Sequence, residues 1–314
     1  MSAAARFVKR MLSHPAVWQA ARPLAGPGCI VLTYHRVCPP DSRFPGLVVE
    51  TFRAHIEWLA ANCRPIRAAE LPGCLESTGK LPVLVTFDDA YKDYHDHAYP
   101  ILKSYGVPAV NFAATQFIDS GEAPWWDVVH AAAHATRRDV VTLPWDPQKT
   151  YGMRNGGRSA AIAACKQRVK AMLEPRATTL AQIIEAFGVD EAALSIERQT
   201  MTWDELRAVS DLTEIGAHSH THPLMEFLDE AQLAHEVATS RDRITAETGR
   251  RPLCFAYPSG SFSEQAKRVV REHGFTLAFS TIPGRNRVDA DRYELRRVNG
   301  PRSLEDLVWK LARV

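Results

Sequence analysis

Leu81-Pro-Val-Leu-Val-Thr-Phe-Asp-Asp-Ala-Tyr91 is the stretch on which the fold turns. Leu81 to Phe87 is an uninterrupted apolar, β-rich run, the pattern of a strand buried on both faces. Asp88 and Asp89 come directly after it. A helix is predicted from Asp96 to Tyr105, ended by Gly106, and a second apolar strand from Pro108 to Ala113. Strand, helix and strand in that order, with both strands apolar, describe a parallel α/β core.

The same rhythm extends in both directions. Upstream, Gly28 to Tyr34 is a short β-rich run ending at His35, and Thr51 to Ala61 has helical spacing, with Phe52, Ile56 and Leu59 on one side. Downstream, Thr202 and Glu205 form a capping box, and Leu212 to Ala217 leads into His218. A long helix from Asp229 to Thr248 stops at Gly249. Strands are expected at 253–257, 275–280 and 293–298, with helices at 263–273 and 303–311. Six to eight such steps predict a barrel-like closure rather than an open sheet. Between about residues 120 and 200 strand signals nearly vanish. Trp125-Trp126, alanine-rich helical spacing and a loop with Pro144, Pro147 and Gly156-Gly157 predict a helical insertion, either walling a cleft or covering a face of the core.

Composition bounds the alternatives. With 314 residues, 46% of them hydrophobic and 24% charged, the chain is neither disordered, collagen-like nor a small disulfide-stapled fold. Its 38 basic and 36 acidic side chains leave a formal charge of +2, so no global field calls for nucleic acid. The cysteines at 29, 38, 63, 74, 165 and 254 are dispersed, with no CxxC pair, and read as reduced and semi-buried. Arg6, Lys9 and Arg10 resemble a signal-peptide n-region, but His14, Pro15, Gln19, Arg22 and Pro23 break up the residues where its apolar core would lie. A cytoplasmic location is expected, with residues 1–27 as a helical segment packed on the domain. The alternative is peripheral membrane contact through Phe7, Met11, Leu12 and Trp18.

The chemistry lies at the strand ends. Adjacent carboxylates point in different directions, so one of Asp88 and Asp89 can bind a metal while the other holds or deprotonates a water. Alone, such a pair is often only a loop feature or a helix cap. Gly216-Ala-His-Ser-His-Thr-His-Pro223 is more specific, with three histidines in five residues. Spaced by two, they could sit along a strand; Pro223 argues instead for a turn, in which His218 and His222 can face the same way. Two imidazoles and Asp89 would hold zinc or a similar divalent ion with positions open, as catalytic sites do. In that turn His220 points away and is structural.

Four strings resemble the polysaccharide deacetylase family, the metal-dependent esterases of carbohydrate esterase family 4. They are Leu32-Thr-Tyr-His-Arg-Val37, Thr86-Phe-Asp-Asp-Ala-Tyr91, Ile215-Gly-Ala-His-Ser-His-Thr-His-Pro223 and Phe255-Ala-Tyr-Pro-Ser-Gly260, in the family's order over about residues 28–300. The resemblance implies a distorted (β/α)7 barrel-like catalytic domain over 28–314, carrying the insertion. It makes Asp88 the general base and Asp89, His218 and His222 the metal ligands. The metal would be Zn2+, with Co2+, Ni2+ or Mn2+ as alternatives. The Ser259 backbone N–H would hold the oxyanion.

The sequence also departs from the family. The usual glycine is Ala90. The groove-wall arginine is replaced by Ala256, which removes its help in orienting the base. No histidine comes after His273, so the family's late general acid is missing, and its region reads Leu295-Arg-Arg-Val298. A subgroup acting on poly-N-acetylglucosamine-type polymers has a string like Tyr34-His35 and takes its acid from that histidine; His35 would fill the gap here. Arg296 and Arg297 either meet an anion on the substrate or form ion pairs. Trp125, Trp126, Trp145 and Trp203, and better Tyr91 and Tyr94, are candidate sugar platforms. The expected activity is metal-dependent removal of an N-acetyl group from an amino sugar in a glycan or glycan precursor. A deformylase or cyclic amide hydrolase, and a non-catalytic carbohydrate-binding protein, are the alternatives.

Overall fold

The computed structural model describes residues 17, 18, 26–171, 175–190 and 192–314. The chain divides into two compact units, residues 1–120 with 200–314, and residues 121–199.

In the larger unit, β1 (Ile30–Tyr34), β2 (Val37–Cys38) and β3 (Leu47–Val48) precede α1 (Val49–Asn62). β4 (Arg64–Pro65) and β5 (Pro82–Asp88) come next, then α2 (Tyr99–Tyr105), β6 (Ala109–Ala113) and α3 (Thr115–Ser120). The smaller unit holds α4 (Trp125–Ala135), β7 (Val140–Leu143), β8 (Asp146–Gly152), α5 (Gly157–Lys170) and α6 (Arg176–Phe187). The larger unit resumes with α7 (Trp203–Ala208), β9 (Thr213–Ala217), α8 (Glu230–Thr248), β10 (Cys254–Ala256), α9 (Glu264–Glu272), β11 (Leu277–Phe279), β12 (Val298–Asn299) and α10 (Leu304–Arg313).

The main sheet has the order β11-β10-β9-β6-β5-β1-β12, with β4 also paired to β5, and every pairing in it is parallel. It curls into a partly closed half-barrel flanked by helices, as the strand–helix alternation predicts. Side chains alternate between its two faces. Ile30, Leu32, Val83, Val85 and Phe87 face outward and pack with helix residues such as Phe52, Ile56, Leu102, Leu233 and Leu307. Val31, Leu84, Val110, Phe112, Ala256 and Phe279 form a second core inside the curl. Asp88 is in phase with Leu84 and Thr86, so it lies on the inner face at the strand's C-terminal end.

Some elements differ from expectation. Of the stretch 293–298 only Val298 lies in β12, which pairs with β1 through Val298 and Asn299; Leu295 makes an isolated bridge to Phe279. The smaller unit is not purely helical, because β7 and β8 pair antiparallel. Val140, Val141 and Thr142 are β-branched and alternate between exposed and buried, while Pro147 sits in a hairpin that pairs with no other strand among the described residues, where its missing N–H is tolerated. The cysteines are buried rather than semi-buried, and none is in a disulfide.

Trp18 is 2% exposed and meets Trp58 edge-on with ring centroids 5.1 Å apart. It therefore packs on the domain; Phe7, Met11, Leu12 and the basic residues of that segment lie outside the described residues. Among the described residues, no helix is long and apolar enough to cross a membrane.

Candidate metal and catalytic centre

Four strand ends converge at the C-terminal edge of the half-barrel: β1 carries His35, β5 carries Asp88 and Asp89, β9 carries the three histidines, and β10 leads to Ser259. This is the edge at which parallel α/β folds bind ligands.

The chain leaves these strands through turns in the left-handed backbone region. Asp89 (φ 72°), Ala90 (φ 48°), Ser219 (φ 62°), His222 (φ 57°) and Ser259 (φ 55°) all adopt it without being glycine. Such residues are strained, and here they cluster around one site. The turn after β5 runs directly into Ala90, whose carbonyl accepts from the Met201 N–H at 2.8 Å. Gly260 (φ 72°) closes the turn at Ser259; a Cβ there would come within 2.0 Å of the Thr281 hydroxyl.

The turn after β9 brings His218 and His222 together and sends His220 away. Both Nε2 atoms lie 3.6 Å from Asp89 Oδ1, and the two rings meet at 74°. His220 Nδ1 instead lies 2.8 Å from the Thr115 hydroxyl. Asp89 and His218 are 5% and 2% exposed, and His222 is nearly as buried. His218 Nδ1 lies 2.7 Å from the Ala256 carbonyl. A carbonyl only accepts, so Nδ1 carries the proton and Nε2 presents its lone pair toward Asp89. Burial lowers the His218 pKa to about 4, against the pull of Asp88. A neutral imidazole with a fixed tautomer, a second imidazole and a carboxylate form a donor set that suits a divalent ion of the zinc type.

Asp88 is held differently. The Arg297 guanidinium grips it at two points, Nη1–Oδ1 2.7 Å and Nη2–Oδ2 2.9 Å, while Arg297 Nε donates to the Ser280 carbonyl at 2.8 Å. Arg297 is 1% exposed and Asp88 3%. Burial alone would raise the carboxyl's pKa, but Arg297, His218 and His35 outweigh it and hold the group well below the usual carboxylate range. Ala256 therefore does not leave the Asp88 carboxylate unsupported: the guanidinium comes from the segment before β12. Of the two arginines expected to meet an anion, Arg297 meets Asp88 and Arg296 donates to the Pro283 carbonyl.

His35 Nε2 stands 4.0 Å from Asp88 Oδ2 with 55% of its side chain exposed. The protein around it lowers its pKa despite the opposing charge of Asp88. A cavity of about 540 Å³ opens beside it, lined in part by Thr33, Arg36, Leu47, Thr51 and Arg302. Tyr91 and Tyr94 are not sugar platforms. Tyr91 is 3% exposed beneath the Arg36 guanidinium, and Tyr94 is fully buried with its hydroxyl on Thr213. Trp125 is buried too, whereas Trp126, Trp145 and Trp203 are half-buried.

Sequence reasoning missed Glu236, on α8. Its carboxylate accepts from the His220 and Thr221 N–H groups, both at 2.8 Å, and from the Thr221 hydroxyl at 2.7 Å. Its position in the helix, on the same side as Leu233 and Val237, was the one available signal.

Comparison with known proteins agrees with this geometry. The chain is 32% identical over 108 residues to poly-β-1,6-N-acetyl-D-glucosamine N-deacetylase of Staphylococcus epidermidis, an alignment covering 29% of this chain. It spans only 37% of that relative's length. Streptococcus pyogenes deacetylase PplD, solved with acetate, superposes with a TM-score of 0.61 at 16% identity over 90% of this chain and 98% of that one. IcaB from Ammonifex degensii gives 0.60 at 20% identity over 92% and 98%. These two likenesses show the fold. The family model for polysaccharide deacetylase matches residues 76–278, which include Asp88, Asp89, His218, His222 and Ser259. With that match over more than half of its length, the chain belongs to the polysaccharide deacetylase family.

Proposed function

We propose that the protein is a metal-dependent N-deacetylase that hydrolyses the acetamide of an N-acetylglucosamine-type residue in a glycan or glycan precursor. The observation that carries this is the juxtaposition of the Asp89–His218–His222 cluster with an ionised carboxylate fixed by a buried guanidinium. Asp89, His218 and His222 would hold the ion, Zn2+ by their chemistry. When bound, such an ion polarises the amide oxygen and acidifies water. The sugar-polymer substrate is supported by the family and by the activity in the name of the staphylococcal relative.

Asp88 acts as general base. Arg297 keeps it ionised and fixes its orientation, so it arrives ready to take a proton from the attacking water. The exposed Ser259 turn at the end of β10 offers its backbone N–H to the developing oxyanion. His35 supplies the proton to the leaving amine. The cavity beside His35 gives room for the sugar that bears the amide.

Acetate and formate release from a panel of N-acylated sugars and oligosaccharides, with and without chelator, tests the assignment. Acetate release that chelator stops and Asp88→Asn abolishes while metal still binds is the expected result. Wild-type turnover by Asp88→Asn, or formate release alone, overturns it.

A further inference from the structure

We propose that Glu236 is a positioning residue that sets the metal affinity of the cluster by holding the turn between its two imidazoles. The inference rests on the reading of Asp89, His218 and His222 as metal ligands.

His218 and His222 are separated by three residues, and their imidazoles converge only because Ser219 and His222 both take left-handed backbone angles. A non-glycine residue in that region is strained by the close approach of its Cβ to the following carbonyl. Something must hold two such residues in one short turn. Inside the turn, Ser219 Oγ accepts the His222 N–H at 3.0 Å. On one side, the Thr115 and Gln116 N–H groups donate to the Ser219 and His220 carbonyls at 3.4 and 3.0 Å.

The last two bonds engage carbonyls and leave the His220 and Thr221 N–H groups at the apex of the turn to be satisfied. Glu236 supplies that half. One of its oxygens accepts both consecutive N–H groups, of His220 and Thr221, and the other accepts the Thr221 hydroxyl. The residue is 6% exposed, so these bonds are largely sheltered from water. Bonds from neutral donors to a carboxylate are the strong kind. Glu236 sits in the interior of a 19-residue helix, a rigid support compared with the loop it grips.

Without this carboxylate the two N–H groups lose their shared acceptor. Right-handed conformations of the turn then compete, and these separate His222 from His218 and Asp89. The deficit should appear as weaker metal binding, before any effect on chemistry. Groups that orient metal ligands from outside typically contribute 10–100-fold in affinity.

The test is competition of purified, metal-stripped full-length protein against a chromogenic chelator, using Zn2+, with the Co2+ absorption spectrum as a second readout. Glu236→Gln, which keeps the shape but loses the charge and one acceptor oxygen, should weaken Zn2+ binding about 10–100-fold and alter the Co2+ spectrum. Thr221→Val, which removes one of the three bonds, should weaken it by a smaller factor. A Glu236→Gln protein that is folded by circular dichroism and binds Zn2+ within twofold of wild type overturns the proposal. If Glu236→Gln does not fold, Thr221→Val decides, and wild-type affinity and spectrum there overturn it. Failure of the wild-type protein to bind Zn2+ or Co2+ refutes the metal-centre reading itself, a different result from equal binding by wild type and variants.

Discussion

Replacing Arg297 by methionine should be among the most damaging single changes in the molecule. Arg297→Met removes both guanidinium bonds to Asp88 and leaves the buried Asp88 carboxylate with His35, 4.0 Å away and half exposed, as its nearest remaining partner on that side. Breaking a buried pair by removing one member costs about 3–5 kcal/mol, because the other charge stays buried without compensation. The second change Asp88→Asn removes that charge. The double variant should recover much of the loss, giving a coupling energy of about 2 kcal/mol or more. The sign of the pH effect comes from the lowered Asp88 pKa. Its stabilisation is present above the unfolded carboxylate value and lost as pH falls through the still lower folded value. The gap between wild type and Arg297→Met should therefore narrow below about pH 4. Urea denaturation of the four proteins in chelator, at neutral and acid pH, measures all of this. A loss under about 1 kcal/mol for Arg297→Met, or strictly additive single changes, would refute the reasoning.

Other outcomes are expected from the same geometry. Chelation should end turnover, and Zn2+ at 100 times its Kd should stabilise the stripped protein by about 2.7 kcal/mol; a thermal melt with and without metal reads the effect, and His222→Ala should lose it. His35→Gln should lower kcat about 100-fold or more with little change in metal affinity, as expected for a lost proton donor; steady-state acetate release with parallel metal titration separates the two quantities. His55 is fully buried beside the Tyr34 hydroxyl, and burial lowers its pKa to about 4. Because its folded value lies below its unfolded one, stability should fall as pH drops from about 6.5 toward 4, by about 3 kcal/mol in all. Urea midpoints of wild type and His55→Gln across that range test this, and parallel curves would exclude His55 as the source.

What the sequence discloses here is what lies close together along it. The apolar run before Asp88, the turn-forming Pro223 and the capping box at Thr202 each act through neighbours a few residues away, and the strand, the converging histidines and α7 are where those signals put them. The support of Asp88 is invisible in the same way that Glu236 is. Arg297 lies 209 residues beyond its partner, and nothing local marks it as different from Arg296 beside it. Ala256 pointed in the wrong direction, since the side chain lost there is replaced from the segment just before β12 while its backbone carbonyl sets the His218 tautomer. The β7–β8 hairpin was hidden by Pro144 and Pro147, which read as loop formers, although Pro147 is accommodated in a strand with no further partner to supply.

The Arg297–Asp88 pair also bears on the order in which the molecule is made. Synthesis runs from the N-terminus, so β5 and its carboxylate leave the ribosome long before the segment that neutralises them. Until then the inner face of the half-barrel carries at its mouth a carboxylate without its guanidinium, which opposes early closure of the curl. Release of the last strand and helix supplies the guanidinium and removes that opposition in one step. A nascent chain halted before residue 297 should therefore remain protease-sensitive around β5, and one extended past α10 should not.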